Sequence, residues 1–116
     1  MAEFQIRTIS NNETRIIELT GYLDAHTAPN LEAAFTTLIE SKQYKVIVDF
    51  HDLKYISSAG LGVFMAFIET MRENNGDIKL AAMQPNVYEI FDLLGFPMLY
   101  EIFPTVDEAI QKFQNQ

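Results

Sequence analysis

Two adjacent hydroxyls, Ser57 and Ser58, head the stretch Ser57-Ser58-Ala59-Gly60-Leu61-Gly62. Before them runs Val46-Ile47-Val48-Asp49-Phe50, whose β-branched residues show no helical spacing and read as a strand. After them, Leu61, Phe64, Met65, Ile68 and Met71 recur on one face at helical period. A serine between a strand and a helix is placed to accept a bond from an unpaired N–H of the first turn. Such a turn also has a partial positive charge, which favours an anionic group set upon it. Glycine at 60 and 62 lets the helix start lie close to a neighbouring backbone or to a partner. Asp24, Asp49 and Asp52 also fall near the expected carboxyl ends of strands, where ligands of open α/β sheets collect. Carboxylates so placed suit Mg²⁺, which takes oxygen ligands.

Other chemistries lack their parts. His26 and His51 are the two histidines, and neither has a hydrolase-type serine or cysteine motif around it. There is no Gly-x-x-x-x-Gly-Lys loop, and Gly60 with Gly62 does not make a dinucleotide fingerprint. A phosphoaspartate receiver needs an acidic pair after its first strand and a lysine near its last. Here the first strand ends Thr8-Ile9-Ser10-Asn11, and no lysine stands between Lys79 and Lys112. An enzyme reading therefore lacks its parts, and no catalytic residue, metal or cofactor is expected.

The elements that must position these groups follow from periodicity. Phe4 and Ile6 alternate with Gln5 and Arg7 as a half-exposed strand over 4–9, and residues 15–20 form a second strand. The short polar link Ser10-Asn11-Asn12-Glu13 implies an antiparallel hairpin with the first strand at a sheet edge. Residues 21–27 form a loop in which Asp24 or Thr27 caps a helix opened by Pro29 and striped with Leu31, Ala34, Phe35, Leu38 and Ile39. Residues 44–50 are apolar on both faces, as a central strand would be, and a strand, a helix and such a strand imply parallel pairing. Asn74-Asn75-Gly76-Asp77 stops the helix that begins near Ser58. A strand over 78–83, a helix from Pro85 ended by Gly95, a strand over 99–103 and a helix capped by Thr105 complete the chain. The alternation predicts an α/β domain: a mixed, mainly parallel sheet, an N-terminal antiparallel hairpin and about four helices over residues 1–116.

Composition narrows the partners. A chain of 116 residues fits one domain with one core. A formal charge of −8 argues against nucleic acid, whose phosphates call for Lys and Arg. There is no cysteine, hence no disulfide or thiolate metal site. The start Met-Ala-Glu-Phe-Gln-Ile-Arg lacks the regions of a signal peptide, and no apolar run approaches membrane-spanning length, so a soluble cytoplasmic protein is expected.

The run from Asp49 to Val63, an apolar strand ending in Asp, a short loop and Ser57-Ser58-Ala59-Gly60-Leu61-Gly62 opening a helix, resembles the signature of bacterial anti-anti-sigma factors of the STAS-domain family. Gly21-Tyr22-Leu23-Asp24 resembles the family's Gly-x-apolar-Asp, and Phe91-Asp92-Leu93-Leu94-Gly95-Phe96 its late helix end. The resemblance implies a single STAS domain acting as an anti-sigma factor antagonist, not an enzyme, and a monomer when free. Its implied partners are an anti-sigma factor with serine kinase activity and a metal-dependent phosphatase, with neither nucleic acid nor membrane. The unphosphorylated form would bind the anti-sigma factor and so free a sigma factor. By position the modified residue is Ser58, with Ser57 as second candidate, because Ser57 stands where many members have Asp. Asp24, Ser57, Ser58, Tyr22 and Leu61 are the implied partner-binding residues, with Tyr22 and Leu61 expected at an exposed rim. The alternative is a STAS scaffold or ligand-binding module that works without phosphorylation.

Overall fold

The computed structural model describes residues 3–115; Met1, Ala2 and Gln116, the ends of the expected 1–116 domain, lie outside them. Its elements are β1 (Gln5–Asn11), β2 (Thr14–Leu23), α1 (Ala28–Glu40), β3 (Lys45–Ile56), α2 (Ser58–Glu73), β4 (Asp77–Ala81), α3 (Pro85–Leu93), a 3-10 turn (Phe96–Met98), β5 (Ile102–Phe103) and α4 (Val106–Gln114). The strands lie in sequence order, β1 antiparallel to β2 and every later pair parallel. The edge hairpin, the central third strand and the mixed sheet of the sequence reading are all present.

Val46, Ile47 and Val48 are wholly buried although consecutive side chains of a strand face opposite ways, so the sheet is covered on both sides. On one side Val46 and Val48 join Ile17, Leu19 and the inner faces of α1, α2 and α3. On the other, Ile16, Ile47 and Ala81 meet Ala109 and Phe113 of α4. The larger core is aromatic. Phe64 of α2 packs against Phe35 of α1 (ring centroids 6.0 Å), Phe50 of β3 (5.7 Å) and Phe91 of α3 (6.1 Å). One ring thus ties three helices to the sheet.

Five local readings are corrected. Residues 51–55, expected as a loop, continue β3 to Ile56, and β2 continues past Thr20 to Leu23. Their pairing slips between Glu18 and Thr20 and again between Gly21 and Tyr22, which breaks the two-residue alternation that marks a strand. On α2, Met65 is exposed, and the inner face is filled by Leu61, Phe64 and Met71 with Phe67 and Ile68 packed beside them. The strand after Gly76 ends at Ala81 rather than Met83. The segment expected as a strand over 99–103 pairs only at Ile102 and Phe103, because Gly95 at φ 78° turns the chain into the 3-10 segment first.

Asp77 and Lys79 of β4 face the α4 side and are buried, Lys79 completely. A buried ammonium needs partners, and Lys79 Nζ donates to Asp77 Oδ2 (3.0 Å) and Glu101 Oε1 (2.5 Å) while lying 4.4 Å from the Phe113 ring centroid. Arg72 Nε donates to the other oxygen of Asp77, and Lys112 approaches Glu101. The hydrogen bond from Lys79 holds the Glu101 carboxyl below its ordinary value of 4.5. Beside this network the Tyr100 ring is buried and stacked on Phe96, and burial pushes its hydroxyl up to about 12. Gly76, where α2 meets β4, is set by close approach: a Cβ there would stand 1.9 Å from the Tyr44 carbonyl oxygen.

Two predictions follow from this packing. Phe64→Ala should destabilise the protein by about 3–5 kcal/mol in urea denaturation, since neighbours on three helices and a strand cannot all collapse into the void. Glu101→Gln should lower the thermal midpoint at neutral pH. Because the folded-state pKa of Glu101 is depressed, its ionic contribution is complete above the unfolded value and is lost as pH falls through the lower folded one. The gap between wild-type and variant midpoints should therefore be constant from pH 7 to about 5 and shrink in more acid solution, below ordinary carboxyl values. A gap that widens in acid would sink this assignment.

Candidate functional site

The extension of β2 to Leu23 and of β3 to Ile56, both buried in the main core, is what builds the site. Leu23 pairs with Ile56 at the last rung, and the Ser57 N–H donates to the Leu23 carbonyl at 2.9 Å. Asp24 and Ser57, distant in sequence, are thus each the first residue past the same rung. The turn after β2 is locked by Asp24, whose Oδ1 accepts from the N–H groups of His26 (2.9 Å) and Thr27 (3.2 Å). Its carbonyl takes the Ala28 N–H at 2.8 Å. Thr27 occupies the N-cap position of α1, but its hydroxyl donates to the Tyr22 carbonyl and accepts from Asp24 N–H instead of capping the helix. Of the two residues expected to cap, Asp24 therefore makes the bonds to N–H groups at the helix entrance.

The two serines divide the work. Ser57 is the N-cap of α2, with extended backbone and its Oγ accepting from Gly60 N–H at 3.4 Å. Ser58, the first helical residue, is exposed, and its hydroxyl has no hydrogen-bond partner among the described residues. Gly60 is required by packing, since a Cβ would sit 2.8 Å from Leu23 Cγ and 3.0 Å from Ile56 Cγ1. That contact presses the helix start onto the last rung of β2 and β3. Gly62 is the reverse case: a Cβ there would have no atom within 4 Å.

Around Ser58 the surface is small and apolar. Ala59, Gly62, Val63 and Ala66 of α2 face Ala25, Ala28, Pro29 and Glu32 across a shallow groove of about 270 Å³. Met65, 58% exposed, lies two turns beyond Ser58 on the same side of the helix. On the sheet side, Tyr22 and Tyr55 are register partners with ring centroids 5.9 Å apart, each 45% exposed. Tyr22 is therefore at the surface as expected. Leu61 is not: it is 5% exposed and packs into the main core, so the expectation of an exposed rim there is corrected. Tyr55, Ala59 and Met65 share this exposed surface without having been expected there. Tyr55 sat in a presumed loop, and the small residues at 59, 62 and 66, one helical face, were the available signal.

The remaining carboxylates are occupied locally. Asp49 lies within β3, not at its end, and its Oδ1 accepts from His51 N–H at 2.9 Å. Asp52 meets His51 Nδ1 at 3.0 Å on the exposed part of the same strand. No cluster of three or more metal-ligating side chains occurs among the described residues, so Asp24, Asp49 and Asp52 are not gathered into one Mg²⁺ cage. Gln84 and Asn86 at the start of α3 donate to the carbonyls of His51 and Lys54, which ties the extended end of β3 to the body. No helix is long and apolar enough to cross a membrane among the described residues.

Residues 4–109 match the family model of the STAS domain. BtrV of Bordetella bronchiseptica, provisionally named an anti-sigma factor antagonist, is 29% identical over 97 residues, 84% of each chain. A crystal structure of an anti-sigma factor antagonist from Mycobacterium paratuberculosis superposes with a TM-score of 0.87 at 21% identity, over 95% of this chain and 93% of that one. The Bacillus antagonist SpoIIAA in its phosphorylated form superposes at 0.72 with 25% identity, over 96% of this chain and 99% of its own, and the unphosphorylated form of SpoIIAA gives 0.73 at 23% identity over 98% and 100%. With nearly the whole chain matched, and with the mixed sheet leading into a serine-capped helix as described, this protein belongs to the STAS domain family, and its curated relatives are anti-sigma factor antagonists.

Proposed function

We propose that the chain is an anti-sigma factor antagonist switched by phosphorylation of Ser58. Unphosphorylated, it holds an anti-sigma factor that is also a serine kinase, and the sigma factor is freed; a metal-dependent phosphatase resets the modified form. The observation that carries the reading is the division between the serines. Ser57 spends its hydroxyl on the cap, whereas Ser58 presents an exposed, unbonded hydroxyl at the first position of α2. The partner surface in this reading comprises Asp24, Ser57, Ser58 and Tyr22, extended by Tyr55, the Ala59–Gly62 groove and Met65. Leu61 contributes from beneath by seating the helix start in the core.

A phosphate on Ser58 would add about −1.5 to −2 charges at pH 7. At a helix N-terminus this charge meets the positive end of the macrodipole and the free N–H groups, so the fold has no reason to open. Inhibition then arises at the interface, where an unpaired buried charge costs on the order of 3–5 kcal/mol.

Ser58→Asp should give wild-type circular dichroism yet lose most affinity for the cognate anti-sigma factor, while Ser58→Ala binds without release. Ser57→Ala should still be phosphorylated, although α2 loses its cap and about 1 kcal/mol of stability. Phosphopeptide mapping after reaction with the kinase decides between the serines, and phosphate on Ser57 would overturn the reading. Asp24→Asn keeps the Oδ1 acceptor that locks the turn and removes the charge. It should weaken partner binding with little change in melting temperature, measured by calorimetric titration and thermal denaturation.

A further inference from the structure

Four large apolar side chains stand in solvent at the end of α3: Leu93 (84% exposed), Leu94 (57%), Met98 (91%) and Leu99 (57%). Isolated exposed leucines are ordinary, but four within seven residues make a patch. The backbone holding them is fixed. Gly95 turns the chain, Met98 and Leu99 donate to the carbonyls of Gly95 and Phe96, and Arg72 Nη2 donates to the Leu99 carbonyl. Phe96, between the exposed residues, is buried against Phe91 and Tyr100. The patch is presented by a rigid base and needs no rearrangement to bind.

Its charge surroundings select the occupant. From residue 80 to residue 111 there is no Lys or Arg, and α3, which carries the patch, is acidic at Glu89 and Asp92. Glu89 lies one turn from Leu93 on the same side of α3, and Asp92 adjoins it; both are exposed, and neither has an ion-pair partner among the described residues. Arg72, the cation nearest in the fold, is already bound to Asp77 and the Leu99 carbonyl. A second copy of this chain placed on the patch by two-fold symmetry would set acid against acid. An anionic membrane surface would be repelled in the same way.

We infer that this patch is a second docking surface, for an amphipathic helix of another protein whose apolar stripe is bordered by Lys or Arg. It is separate from the Ser58 face. Ser58 opens α2 and Arg72, which holds Leu99, stands near its end, so at 1.5 Å per residue Arg72 lies about 21 Å along the helix from Ser58 and about 10 Å from Met65. Both can be occupied at once, which would let the protein keep one partner while it exchanges another at Ser58.

The test is an NMR titration of the full chain with a synthetic amphipathic helix of leucine and lysine, alongside the same helix with glutamate in place of lysine. The expected result is perturbation centred on residues 93–99, with affinity falling as salt rises. The double variant Leu93→Ser/Met98→Ser, whose side chains are exposed and so dispensable for folding, should bind at least ~tenfold more weakly, a loss of about 1.4 kcal/mol. Glu89→Lys should also weaken binding, while Ser58→Asp should bind as wild type even if the phosphorylation switch itself proves wrong. Equal affinity for the glutamate helix, perturbation centred on Ser58, or an indifferent double variant would overturn the proposal. So would binding to phosphatidylglycerol vesicles, or a dimer in sedimentation velocity, that the double variant abolishes.

Discussion

The backbone bond from the Ser57 N–H to the Leu23 carbonyl is the constraint on which the site depends. It closes the last rung of β2 and β3, whose Leu23 and Ile56 are still in the main core, and the proposed partner surface hangs from the two chain ends it joins. Without that rung, the Asp24 turn and the start of α2 would be independent loops. Gly60 makes the rung tighter still, since only a residue without a Cβ lets Leu23 and Ile56 meet the helix at that distance. The site is therefore rigid for the same reason that the strands are paired. The bonds from Asp24 that lock the turn add to that pairing.

A rigid site suits the proposed switch, which works by charge. The first turn of α2 has N–H groups and a dipole already aimed outward, and one hydroxyl of the serine pair is consumed in capping. The other is left at the surface, next in sequence to Ala59 of a groove lined mainly by small residues. Small residues there allow a partner to approach the backbone closely. A bulky dianion placed on such a surface changes what can approach it far more than it changes the helix beneath.

The opposite end of the molecule is built on different physics. There the sheet edge is held by Asp77, Lys79, Glu101 and Arg72 rather than by hydrocarbon alone, with Phe113 covering the ammonium. Removing one member of such a network leaves a buried charge uncompensated, so these residues depend on one another more than the aromatic core does. Phe96 and Tyr100 anchor the segment that carries the exposed leucines to this end. One helix, α2, runs from the Ser58 face to the segment that carries the exposed leucines.

The sequence by itself determined the element order, the edge hairpin, the central position of the 46–48 strand and the serine-capped helix. Each of these is written in local pattern: β-branched runs, helical periodicity, capping residues and turn residues. Three motifs in order also pointed to the STAS family. Tertiary structure decided what local pattern does not encode. The bulged pairing hid the extension of β3 through residues 51–55, because two register slips erase the alternation by which a strand is read. Leu61 looked the same as Met65 in the helical stripe, and the angle at which α2 lies on the sheet buried the first and exposed the second. The buried Lys79 was equally invisible, because a lysine in a strand reads as a solvent-facing residue until its carboxylate partners arrive from positions 77 and 101. Side chains whose surroundings come from nearby residues were legible. Those whose surroundings come from distant strands and helices were not, since their burial is set by packing geometry that no short window contains.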